Sequence, residues 1–221
     1  GGYGDWCNPN LSIAALDLPK SGVANALSAI EGRAFAGTGN NASGVSFANV
    51  TISNANPPVA AIAGTFDGFK TNGVFGETNY AYLATDNNSK EIEIVNLTTN
   101  PYSEAGYFNA PGNDEGDSVF VAGNVGYMTD ENKLYTFELS SKTGSRGQLG
   151  SVNLAGDGKK VIVSGTYAYV ATSSTSTQLQ IVDVSNPRSM TVVGQAGLAG
   201  GTGATDVFVN STATRAYVTA G

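Results

Sequence analysis

Acidic and amide side chains are the residues of this chain whose type and spacing could support chemistry. Two runs, Asp86-Asn87-Asn88-Ser89 and Asp130-Glu131-Asn132, each follow a predicted strand, and Asp117 and Asp206 each precede one. Ca²⁺ takes carboxylate and carbonyl oxygens of this kind, so these residues could hold a calcium ion that bridges to a partner. The alternative is that they form ordinary turns, in which Asp and Asn accept hydrogen bonds from nearby backbone N–H groups.

We predict that the ligand-binding residues are Asp86, Asn87, Asp117, Asp130 and Asp206. In the fold inferred below, the loops that carry them meet at one mouth, and loops on a rigid scaffold are a common place for binding. Lysines also occur near the strand starts, so the mouth carries mixed charge. A polar ligand, such as a carbohydrate or the surface of a protein partner, fits that description.

Catalysis has few candidate groups in this chain. It contains no histidine and a single cysteine, Cys7, which excludes Ser-His-Asp and Cys-His catalysis, His-ligated zinc and an intramolecular disulfide. Paired carboxylates can hydrolyse glycosides without histidine, but no spacing in the sequence identifies such a pair. We therefore predict a non-enzymatic protein with no catalytic residues and no required cofactor. A carbohydrate-binding or carbohydrate-active protein that uses the acidic loops is the alternative.

Composition limits the classes of partner. The chain has 221 residues, of which 11 are basic and 18 acidic, giving a net charge of −7. A nucleic-acid-binding protein needs a basic face, so we expect no nucleic-acid partner. No apolar run approaches the roughly 18 residues of a membrane span. Only 13% of residues are charged, and Asn, Ser and Thr are abundant, which favours an extracellular or cell-surface location.

An internal repeat predicts the elements that position these side chains. Five short segments share a small residue followed by an aromatic one, and the aromatic residues are Phe35, Tyr82, Tyr127, Tyr169 and Tyr217. They recur at a period in the forties, which is typical of radial or stacked repeat arrays. A β-branched run ending in a turn precedes three of them, and a strand of alternating polarity follows three. Four short antiparallel strands per repeat are typical of a β-propeller blade, in which the aromatic residues are expected to pack between blades.

The repeat predicts one all-β domain over residues 1–221, a β-propeller of about five blades. The blades span about 24–67, 70–109, 117–154, 159–198 and 205–221. The last lacks its outer strands, and residues 11–18 resemble the third-strand pattern at 179–187. Pairing of 11–18 with the strand around Ala216–Thr219 would therefore complete the fifth blade and remove an exposed edge. The alternatives are that the chain is a fragment of a larger propeller, or that copies self-assemble through their free edges.

The segment Leu179-Gln180-Ile181-Val182-Asp183-Val184-Ser185-Asn186-Pro187, with the preceding Tyr167-Ala168-Tyr169-Val170-Ala171, resembles an LVIVD repeat. The resemblance is close in the fourth blade and looser in the second and third. It implies an extracellular or surface β-propeller with a role in adhesion or scaffolding and no catalytic residues. The whole chain is also similar to the propeller region of prepilin-like surface proteins of small-genome bacteria, which implies a parent pilin-like chain or a surface appendage.

Overall fold

The fold was analysed in a computed structural model that describes residues 15–39 and 44–221. Short β-strands form nearly all of its regular structure, and most belong to four antiparallel sheets of at least four strands each. Sheet 1 contains β1 (Ala24–Ile30), β2 (Arg33–Thr38), β3 (Phe47–Ile52) and β4 (Ala60–Phe66). Sheet 2 contains β5 (Thr71–Gly76), β6 (Tyr80–Thr85), β7 (Ile92–Asn96) and β8 (Ser103–Phe108). The four strands of each of these sheets are therefore consecutive in the chain.

The remaining sheets follow in chain order. Sheet 3 contains β9 (Ser118–Ala122), β10 (Val125–Asp130), β11 (Lys133–Glu138) and β13 (Gln148–Asn153). Sheet 4 contains β14 (Gly158–Ser164), β15 (Tyr167–Thr172), β16 (Leu179–Asp183) and β17 (Thr191–Ala196). Sheet 5 is a hairpin of β18 (Ala204–Val209) and β19 (Ala216–Ala220). The prediction of an all-β fold built from four-stranded antiparallel sheets is confirmed.

Turn chemistry explains the first hairpins of sheets 3 and 4. The hairpins β9–β10 and β14–β15 turn at Gly123-Asn124 and Gly165-Thr166, and both glycines have positive φ values, near 60°. That backbone region costs little only for glycine. At the end of the third strand of sheet 4, Asp183 Oδ1 accepts a hydrogen bond from the Ser185 N–H (2.9 Å) and so stabilises the turn there.

The repeated aromatic residues join neighbouring sheets. Tyr82 lies in a buried cluster with side chains of sheet 3, and Tyr127 lies in one with side chains of sheet 4. Tyr169 lies in a cluster with Ala204, Val207 and Val209 of sheet 5. Each of these rings thus packs against the following sheet, so burial of apolar surface holds consecutive sheets together.

The first strands of the sheets, called here the inner strands, pack against one another in the order β1, β5, β9, β14, β18. Hydrogen bonds support the row: Ser28 Oγ accepts from the Gly76 N–H (3.3 Å) and Ser118 Oγ from the Val161 N–H (3.2 Å). The inner strands therefore lie side by side.

Two features of the sheets differ from the expectation. A short strand, β12 (Gly144–Arg146), pairs in parallel with β8 and widens sheet 2 to five strands. Gly106 in β8 permits this approach, because a Cβ there would lie 2.5 Å from the Gly144 carbonyl oxygen. Tyr217 also differs from its equivalents, since it is 54% exposed, whereas Tyr82 and Tyr127 are buried. Nothing in the described part of the chain covers its face as sheet 3 covers Tyr82.

The predicted pairing of residues 11–18 is only partly within the described residues. Residues 11–14 lie outside them. Ala15–Leu18 are not in a strand and lead into a 3₁₀ turn at Pro19–Ser21. Within the described part of the chain, the strand partner of β19 is β18.

Candidate functional site

All five sheets contribute to one cavity of about 750 Å³, called here the central cavity. Its walls include Asn25 of β1, Asn72 of β5, Asp117 just before β9, Lys159 of β14 and Thr205 of β18. These residues lie at the beginnings of the five inner strands, so the row of inner strands brings together side chains that are far apart in the sequence. The volume lies within the range of small-molecule sites.

A second space of about 290 Å³, called here the inner space, is lined by residues of the inner strands. It shares Asn25, Asn72 and Asp117 with the central cavity and adds Ser118 and Asp206. Asn72 is held in place because its Nδ2 donates to the Gly116 carbonyl oxygen (3.0 Å). Its Oδ1 is thereby oriented as an acceptor, and an amide fixed in this way can recognise a hydroxyl or an N–H group.

Charges of both signs line these spaces. Lys70 and Lys159 border the central cavity, and Lys160 borders the inner space. Lys159 Nζ lies 3.5 Å from Asp157 Oδ2, and both side chains are well exposed. Burial raises the pKa of Asp117, and the nearby Lys159 partly opposes the increase. Ammonium groups that can donate hydrogen bonds and a carboxyl group therefore line the same cavity.

Beside the central cavity lies an acidic side pocket of about 360 Å³, which is lined by Asp114, Glu115, Asp117, Glu131, Asp157, Asn113 and Lys159. Asp130 lies close to it and is 4% exposed. Burial foremost, and then the carboxylates of Asp114, Glu91, Asp117 and Glu131, raise the pKa of Asp130 to about 7.

Glu91 adds a further buried carboxyl group to this region. It is fully buried, and its Oε2 accepts the N–H of Ala110 (3.2 Å) while its Oε1 has no hydrogen-bond partner. Burial raises its pKa. The described residues contain no group of three or more Asp, Glu, Cys or His side chains arranged to hold a metal ion.

The structure separates the five predicted site residues. Asp117 and Asp206 line the inner space together, and Asp130 lies near Asp117. Asp86 and Asn87 are not among the residues that border these spaces. Asn87 Oδ1 accepts the Ser89 N–H (2.9 Å), and the Lys90 N–H donates to the Asn87 carbonyl oxygen (3.2 Å). The turn interpretation therefore describes Asn87.

Sequence reasoning missed the residues whose roles depend on neighbouring sheets. Asn25, Asn72, Lys159 and Thr205 each lie early in an inner strand, and that shared position in the repeat could have indicated them. Glu91 could not have been found in this way, because it immediately precedes a third strand and its burial comes from the contact with the loop before sheet 3. In that contact, the Gly116 N–H donates to the Thr85 carbonyl oxygen (2.9 Å).

The sequence comparisons define the class of repeat. Residues 155–196, which form sheet 4 with its entering loop, match the LVIVD repeat family. A search of curated proteins finds no match. No helix in the described part of the chain has the length and hydropathy of a membrane span.

Comparison with solved structures finds proteins of similar fold. The chain is similar to a protein from Lactobacillus plantarum, with a TM-score of 0.68, 15% identity, and coverage of 88% of this chain and 63% of that one. It is similar to a functionally unknown protein from Desulfotomaculum acetoxidans, with a TM-score of 0.69, 13% identity, and coverage of 90% and 63%. The computationally designed Ika4 protein gives a TM-score of 0.58, 6% identity, and coverage of 83% and 98%. The chain therefore spans less than two thirds of the length of the two natural proteins, and the likeness shows the fold.

Proposed function

We propose that this chain is a non-enzymatic β-propeller module of five blades that binds a polar ligand in its central cavity. The observation that carries the proposal is the convergence of one polar side chain from each of the five sheets on a single cavity. In this proposal the sheets are the blades, and the inner strands surround the axis. The LVIVD match in sheet 4 supports the propeller architecture.

The chemistry of the lining favours a ligand with many hydroxyl or amide groups. Asn25, Asn72 and Thr205 supply neutral donors and acceptors, while Lys70 and Asp117 supply charged ones. Oligosaccharides and extended peptides present such groups along their length. The ligand in this proposal is a glycan or a protein segment on a surface partner, and the module acts outside the cell in adhesion or in a surface appendage. The low charge content of the chain supports that location.

Binding to a glycan array and to a peptide array tests the proposal. We expect the purified protein to bind at least one polar ligand, and Lys70→Gln or Asn72→Ala to weaken binding about tenfold, since each removes a hydrogen-bonding or charged group from the cavity wall. Lys142→Gln is the matched control, because Lys142 borders a separate cavity beside Tyr80 and Glu77. If Lys70→Gln and Asn72→Ala both bind like the unaltered protein and like the Lys142→Gln control, the ligand does not use the central cavity.

A carbohydrate-active enzyme is the second candidate, and one observation favours it. Asp117 and Asp206 border the same inner space, and the pKa of Asp117 is raised. Two carboxyl groups that border one space, one of them with a raised pKa, are the groups that a glycosidase needs. Hydrolysis of a bound glycan that is lost in both Asp117→Asn and Asp206→Asn would establish it. Binding without turnover would support the non-enzymatic module.

A further inference from the structure

The walls of the central cavity and of the inner space differ in charge from the molecule as a whole. Three lysine and two aspartate side chains line the two spaces together, which gives them a net charge of +1, whereas the whole chain carries −7. The lysines are Lys70, Lys159 and Lys160, and the aspartates are Asp117 and Asp206. A positively charged wall on an acidic protein attracts anionic groups of a ligand.

Two of these lysines have no partner of opposite charge. Lys70 and Lys160 are half-buried, and within the described residues neither forms an ion pair or lies over an aromatic ring. Lys90 and Lys142 differ, since Lys90 pairs with Glu104 (2.6 Å) and Lys142 lies over a tyrosine ring. An ammonium group that is partly removed from water without a counterion loses hydration, and an anionic group of a ligand would compensate for that loss.

The same walls carry neutral hydrogen-bonding groups at a repeated position. In four of the inner strands, the pairing with the second strand skips one residue near the start of the inner strand, as in a β-bulge. The skipped residues, called here the bulge residues, all border the central cavity and are Asn25, Asn72, Lys159 and Thr205. A bulge changes the direction of the side chain that it carries. Three of the four side chains are amides or hydroxyls, which both donate hydrogen bonds to and accept them from hydroxyl groups of a ligand.

We propose that the ligand of the central cavity is an acidic oligosaccharide, whose carboxylate groups pair with Lys70 and Lys160 and whose hydroxyl groups bind the bulge residues. This inference rests on the proposed function and adds the chemical class of the ligand. Each residue of a polyuronic acid carries one carboxylate and several hydroxyl groups, so both kinds of group recur along the ligand. Lys70 immediately precedes sheet 2 and Lys160 lies in sheet 4, with the inner strand of sheet 3 between them. A ligand that pairs with both lysines must therefore be extended.

The acidic side pocket limits where the carboxylates of the ligand bind. It shares Asp117 and Lys159 with the central cavity, whereas Lys70 and Lys160 are not among the residues that line it. The carboxylates of the side pocket repel an anionic group. Lys159 also lies 3.5 Å from a carboxylate already, that of Asp157. The carboxylates of the ligand are therefore expected at Lys70 and Lys160 rather than at Lys159.

Calorimetric titration with defined oligosaccharides tests this inference. The probes are tetramers of galacturonic, glucuronic and mannuronic acid, each compared with its neutral methyl ester. We expect at least one acid tetramer to bind about tenfold more tightly than its ester, because a hydrogen bond between two charged groups is stronger than one between neutral groups. The preference for the acid should decrease at high salt concentration, because salt screens charges that water reaches.

Variants of the two lysines identify the groups that recognise the carboxylates. Lys70→Gln and Lys160→Gln should each weaken binding of the acid tetramer about tenfold and leave binding of its ester nearly unchanged. Lys70→Arg should retain the preference for the acid, since it keeps the positive charge. Lys142→Gln is the matched control, because it removes the same charge beside a separate cavity. The melting temperature of each variant, compared with that of the unaltered protein, shows whether the variant is folded.

Several outcomes would overturn the inference: no acid tetramer binds, the acid and its ester bind equally, or the preference for the acid persists in both lysine variants. Binding of tetraglutamate in place of every acid tetramer would also overturn it, since the ligand would then be an acidic peptide. In each case, binding of another array ligand that is weakened by Asn72→Ala would leave the proposed function intact. The proposed function fails as well only if neither Asn72→Ala nor Lys70→Gln weakens the binding of any ligand.

Discussion

Replacing Asp130 with asparagine is expected to stabilise the protein at alkaline pH. The pKa of Asp130 is raised to about 7 in the folded chain by burial and by the carboxylates around it, against an ordinary value of 3.8. Between those two pH values the folded protein therefore binds a proton that the unfolded chain has lost. The contribution to stability is fully present below about pH 4 and is lost as the pH rises through 7.

The size of the effect follows from the difference in pKa. About three pH units at roughly 1.36 kcal/mol each amount to about 4 kcal/mol. We expect a smaller effect of about 1–2 kcal/mol, because the neighbouring side pocket is open to water and screens the charges. Asparagine has nearly the shape of the protonated aspartic acid and never ionises. Asp130→Asn should thus raise the free energy of unfolding at pH 8 by that smaller amount and leave it nearly unchanged at pH 4.

Urea unfolding followed by circular dichroism at pH 4, 5, 6, 7 and 8 measures this effect. The unaltered protein should lose stability between about pH 4 and 7, and the slope there should be smaller in Asp130→Asn. Asp183→Asn is the control, because Asp183 is a turn residue whose pKa is lowered by its bonds to Ser185. That change should not reduce the slope. A lower stability of Asp130→Asn than of the unaltered protein at pH 8 would refute the reasoning.

Two further predictions concern the contacts between sheets. Gly76→Ala should cost about 3 kcal/mol in urea unfolding, because its Cβ would lie 2.0 Å from the buried ring of Phe35, whereas Gly147→Ala, with no atom within 4 Å of the new Cβ, should change stability by less than about 0.5 kcal/mol. Equal losses would contradict the packing account. Thr136→Val should cost about 1–2 kcal/mol in the same assay, because Thr136 Oγ1 donates to the Pro187 carbonyl oxygen (2.6 Å) and joins sheet 3 to sheet 4. An unchanged midpoint would show that water replaces this bond.

The strands and their turns could be predicted from local patterns. The hairpins at Gly123 and Gly165 follow from residues next to one another in the chain, and the regular spacing of the aromatic strands follows from repetition of the same local unit. The turn at Asp183 also involves only neighbouring residues. Alternation of apolar and polar residues along a strand shows which face of that strand is buried, regardless of which neighbouring sheet packs against it.

Only the tertiary structure determined which side chains meet. Asn25, Asp117 and Thr205 border one cavity although they lie on three different sheets, and no pattern within one repeat describes that encounter. The pKa of Asp130 is raised mainly by burial and then by nearby carboxylates, one of which, Glu91, belongs to the preceding repeat. Tyr127 and Tyr217 occupy the same position in the repeat, yet one is buried and the other exposed. Local sequence sets the conformation of a strand, but burial and electrostatics depend on the distance to neighbours that are remote in the chain, and only the arrangement of the sheets sets that distance.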